Sequence, residues 1–93
     1  MKIEIKKYYS VNEWIAKIEP SYIYIVKCNK GVSELYIHFE DTTLSHGVGF
    51  IVDGNEKIEL ISESREIELI IYKISYNFFH ELYIHKDLIY SLR

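Results

Sequence analysis

Apolar and polar residues alternate along most of this chain, and a period of two restricts it to strands that bury one face. In "VSELYIHFE" (residues 32–40), Leu35, Ile37 and Phe39 fall on one side of an extended backbone. Glu34, Tyr36, His38 and Glu40 fall on the other. "MKIEIKK" repeats the pattern, with Ile3 and Ile5 opposite Lys2, Glu4 and Lys6. "SYIYIVKC" (21–28), "VGFIV" (48–52), "KIELIS" (57–62) and "EIELIIYKI" (66–74) read as further strands. Short turns at "NKG", "DG" and "ESR" separate them, and "DTTLSHG" (41–47) is the longest loop.

Two segments break the period. "SVNE" (10–13) is a capping-box pattern ahead of Trp14, Ile15 and Ile18, so a short helix is expected to end before Pro20. Asn77 can cap a second helix whose stripe is Phe78, Leu82, His85, Ile89 and Leu92. The 93 residues therefore predict a single α+β domain, 1–93. It would hold one antiparallel sheet of five to six strands, with the short N-terminal helix and the C-terminal helix packed on one face.

The pentapeptide "ELYIH" occurs at 34–38 and again at 81–85. Its surroundings differ, a glycine turn before the first copy and "YNFFH" before the second. The repeat is read as an accident of a chain rich in Ile, Tyr and Glu.

Several chemistries are excluded by what is missing. The single cysteine, Cys28, forms no intramolecular disulfide and suits a reducing, cytoplasmic setting. "HFE" matches the H-x-E fragment of a zinc deaminase, but no P-C-x-x-C follows. Asp41, Ser45 and His46 hold the residue types of a hydrolase triad without a nucleophile elbow. No apolar run spans a membrane, and no phosphate-binding loop or basic aromatic patch is present. No cofactor is expected. The strongest alternative centre is His38, Glu40 and His46, which could serve a small enzyme or metal-binding domain.

Charge is unevenly spread. Residues 34–70 hold nine acids against Lys57 and Arg65, while the net charge of the whole chain is −3. On a flat sheet Glu34, Tyr36, Glu40, Glu59, Glu66, Glu68 and Tyr72 would form one acidic, tyrosine-studded face. Acidic fields steer cationic partners, and Tyr is enriched at interfaces. The expected function is non-catalytic inhibition, of the immunity, antitoxin or phage anti-defence type. The partner would be a basic toxin, nuclease or defence protein, not nucleic acid or membrane. A homodimer or homo-oligomeric structural module is the other arrangement left open.

Overall fold

The computed structural model describes residues 3–81. Its elements are β1 (Ile3–Tyr8), α1 (Val11–Ile15), β2 (Tyr22–Lys30), β3 (Val32–Ile37), β4 (Glu40–Ser45), β5 (Gly49–Asp53), β6 (Ile58–Glu63) and β7 (Glu68–Ser75). The strands form two antiparallel sheets, a larger one ordered β1-β7-β2-β5 and a smaller one ordered β4-β3-β6. This corrects the expected single sheet of five to six strands with helices packed on one face. A lone sheet covered by a five-residue helix would leave most of its apolar face in water. A second sheet buries it instead.

Successive strands mostly change sheets. Gly31 carries the chain from β2 into β3 and adopts φ +88°, and a Cβ there would run into the Glu66 carbonyl oxygen. The expected hairpin at Asp53-Gly54 is also a corner, because β5 and β6 belong to different sheets. Glycine is needed at 54 because the backbone passes against the Glu19 and Tyr22 carbonyls, and Gly54 N donates to Tyr22 O at 2.8 Å. Among the described residues the only strands adjacent in both sequence and sheet are β3 and β4.

The core lies between the sheets. From the larger sheet come Tyr24, Val26, Cys28, Leu69 and Ile71, and from the smaller Leu35, Ile37, Leu44 and Ile58. Truncating a fully buried leucine such as Leu35 or Leu69 to alanine costs about 2–5 kcal/mol in sites of this kind. Helix α1 touches both β6 and β1, one edge strand of each sheet, and buries Val11 and Trp14. Trp14 meets Tyr24 edge to face, with ring centroids 6.2 Å apart.

Two caps differ from expectation. Ser10 makes no side-chain cap, and the Val11 amide instead donates to the Glu63 carboxylate at 3.1 Å, from the neighbouring strand β6. Residues 76–81 are helical, so the second helix starts one residue ahead of Asn77. The Phe78 amide donates to Ser75 Oγ, which takes the capping role given to Asn77. The stripe from Leu82 through His85, Ile89 and Leu92 lies outside the described residues.

The outer face of the larger sheet is largely apolar and partly covered, with Ile74 only 3% exposed. In register, Ile5, Tyr72, Ile25 and Ile51 form one row across all four strands. The next row holds Ile3, Ile74, Ile23 and Asp53, and the row on the other side holds Lys7, Ile70, Lys27 and Gly49. From Leu69 to Tyr72 the sequence runs apolar without a break, as it does in strands covered on both faces.

Candidate functional site

The sequence stretch read as one long strand, 32–40, folds back on itself. Ile37 pairs with Glu40, leaving His38 and Phe39 as a two-residue turn. Both have positive φ, 50° and 67°, as a type I′ turn requires. Such turns usually hold Asn-Gly, and left-handed backbone costs an ordinary L-residue about 1–2 kcal/mol. The tip is tied down on one side, since the His38 amide donates to the Lys57 carbonyl at 3.3 Å.

The turn changes where side chains point. Phe39, expected beside Leu35 and Ile37 in the core, is 81% exposed. Its ring stands edge to face against Tyr36 at 6.5 Å and beside His38 at 5.8 Å. Tyr36, His38, Phe39, Lys57 and Glu59 line a hollow of about 170 Å³. Lys57 and Glu59 form an exposed ion pair at 3.2 Å on its rim.

The outer face of the smaller sheet brings together three of the expected contact residues. Tyr36 lies between Glu59 on β6 and Asp41 on β4, and Glu34 projects on the same side. Glu40 does not join them. It sits opposite Ile37 in register, on the other face, because the turn after Ile37 resets the alternation.

Glu68 and Tyr72 belong to β7 of the larger sheet, and Glu66 lies in the bend before it, all away from this cluster. Glu66 is paired with Lys30 at 2.6 Å, which holds its carboxyl below the usual range. Glu68 is paired with Lys7 at 3.7 Å and accepts from Asn29 Nδ2. Tyr72 stands between Ile5 and Ile25. The seven residues therefore do not form one acidic face.

His38 and His46 flank opposite ends of β4, separated by a strand of roughly 20 Å at ~3.3 Å per residue. His46 Nδ1 lies 2.6 Å from the Asn29 carbonyl, which pins the β4–β5 turn to β2. Among the described residues no group of three His, Cys, Asp or Glu side chains could hold a metal ion. Cys28 is buried, its thiol donating toward the Lys30 and Gly31 carbonyls, and burial pushes its pKa up. That makes it a poor nucleophile.

Phe39 and Lys57 were not foreseen as site residues, and Asp41 enters the sequence reading only as a metal ligand or triad member, not as part of a contact face. The one available signal was the length of "VSELYIHFE", which exceeds an average strand. Nothing in "HF" marks a turn. Comparisons with protein families, with curated proteins and with solved structures give no match to this chain. Among the described residues no helix is long and apolar enough to cross a membrane.

Proposed function

We propose that this chain is a non-catalytic protein-binding domain of the immunity, antitoxin or anti-defence type. It docks the β3–β4 tip and the outer face of the smaller sheet onto a basic toxin, nuclease or defence protein. The observation that supports this best is Phe39. A large apolar ring is held almost fully in water, on backbone that phenylalanine disfavours, with carboxylates on the adjoining face. Strained, exposed residues of this sort persist at contact sites. An aromatic anchor beside Tyr36, with Glu34, Asp41 and Glu59 around it, has the composition of a binding hot spot for a cationic surface. The buried, free Cys28 suits action in the cytoplasm.

The test is comparative capture from the native host followed by binding kinetics. The wild-type chain should retain a basic protein that Phe39→Ser loses and that Glu13→Lys, on α1, retains. Glu34→Lys with Asp41→Lys should slow association with that protein, and wild-type association should slow as salt shortens the screening length toward ~8 Å. Unchanged kinetics in both the Phe39 and the charge-reversed variants would sink the proposal.

A further inference from the structure

Tyr36 and Phe39 stand with their ring planes at 87° and their centroids 6.5 Å apart, so they form a corner with an aromatic face on each wall. Tyr36 is the half-buried wall, on β3, and Phe39 the exposed one, in the turn. His38 leans against Phe39 at the rim, and Glu59 brings a carboxylate to the hollow they share. Aromatic faces beside a carboxylate attract organic cations. Building on the docking function proposed above, we infer that this hollow takes one arginine side chain of the partner, its guanidinium stacked on the rings and hydrogen-bonded to the carboxylates.

Volume selects a side chain. At about 170 Å³ the hollow is smaller than the ~300–1,000 Å³ of sites for free small molecules, and it has room for one long side chain delivered by a docked surface. Charge selects a cation. On the outer face Glu34, Asp41 and Glu59 outnumber Lys57. Among the described residues Glu34 and Asp41 have no ion pair.

Geometry selects arginine over lysine. In register Tyr36 has Glu59 on one side and Asp41 on the other, each one strand spacing or ~4.8 Å away. A guanidinium stacked flat on a ring keeps its donors around its edge, free to meet carboxylates on either side. An ammonium is a compact, strongly hydrated point charge and does not bridge them while covering the ring. Lys57 marks where the cation sits. Its Nζ lies 3.2 Å from Glu59, with the two side chains 83% and 55% exposed, so the pair is weak and gives way to a better-placed cation.

Titration of the isotope-labelled chain with Nα-acetyl-arginine amide, followed by NMR, tests this. The amide signals of Tyr36, His38, Phe39 and Glu59 should shift and saturate, with a dissociation constant on the order of millimolar. The matching citrulline amide has the same shape without the charge and should give no saturable shift. The matching lysine amide should bind about fivefold more weakly than arginine. Phe39→Leu keeps the apolar bulk and removes the ring, and Glu59→Gln keeps the shape and removes the charge. Each should weaken arginine binding by about fivefold. Lys57→Ala removes the competing cation and should tighten binding by about twofold, while Glu13→Gln on α1 should change nothing. No saturable shift at the tip overturns the proposal, as does equal binding of citrulline or lysine, or a Phe39→Leu chain that binds like the wild type. A basic protein captured through the tip, with no response to the arginine amide, overturns the arginine site and leaves the docking function standing. A Phe39-dependent arginine response with no captured protein upholds the arginine site and sinks the docking function.

Discussion

The two ends of β3 use the same backbone geometry for opposite purposes. At its start, Gly31 takes φ +88° where the chain crosses between sheets, hard against the 64–67 segment. Val32 N donates to Ser64 Oγ, and Ser64 N donates to Val32 O. At its end, His38 and Phe39 take φ 50° and 67° in open solvent. The first end uses glycine because no side chain fits there. The second has room for glycine and carries an aromatic ring instead. Where space does not dictate the residue, a residue that costs stability points to function.

That contrast can be broken in four places. Gly31→Ala should have the largest effect, about 3–5 kcal/mol, since a methyl group meets the Glu66 carbonyl on left-handed backbone. Urea denaturation measures it, and a loss under about 1 kcal/mol would show that the corner can relax. His38→Asn with Phe39→Gly should do the reverse and stabilise by about 1–2 kcal/mol, because Asn-Gly suits the turn. A rise of several degrees in Tm, with partner binding lost, is the expected pair of readings.

Next comes Ser64→Ala, which removes the acceptor for the Val32 amide and should cost about 1 kcal/mol. An equal loss from Ser10→Ala, whose side chain makes no cap, would contradict the assignment of the α1 cap to Glu63. Smallest is Glu66→Gln. Lys30 lowers the folded-state pKa of Glu66, so any stabilisation exists above the ordinary carboxylate range and fades as pH falls through the lowered value. Both side chains are solvated, so acid-unfolding curves of the variant and the wild type should overlay.

Much of the local structure was legible in the residues. β2 and the first six residues of "VSELYIHFE", which form β3, keep their alternation. Gly31 has the positive φ foreseen for it, α1 ends before Pro20, and Cys28 is buried. Strand pairing was not legible, because a period of two assigns faces and not neighbours. β1 pairs with β7, more than sixty positions away, and no local signal announces it. The acidic face failed for the same reason. Glu34 and Glu68 both alternate with apolar neighbours, but they do so in different sheets, and Glu66 lies in the bend between β6 and β7. "DG" resembles a hairpin and is a corner, while "HF" resembles a strand and is the hairpin. In each case tertiary packing overrode the turn chemistry that short peptides follow.

The position of β7 has a consequence for how the molecule is made. It is the shared neighbour of β1 and β2, yet it emerges from the ribosome after every other described strand. Until residues 68–75 are synthesised, β1 and one side of β2 wait with unpaired backbone. The larger sheet therefore closes after translation of nearly all the described chain, through contacts of long sequence separation, which fold in milliseconds to seconds. The β3–β4 hairpin can close on its own in about 1–10 μs. Its disfavoured tip is therefore a cost met at the first step of folding, and relieving that cost at His38 and Phe39 should quicken the approach to the native state as well as deepen it.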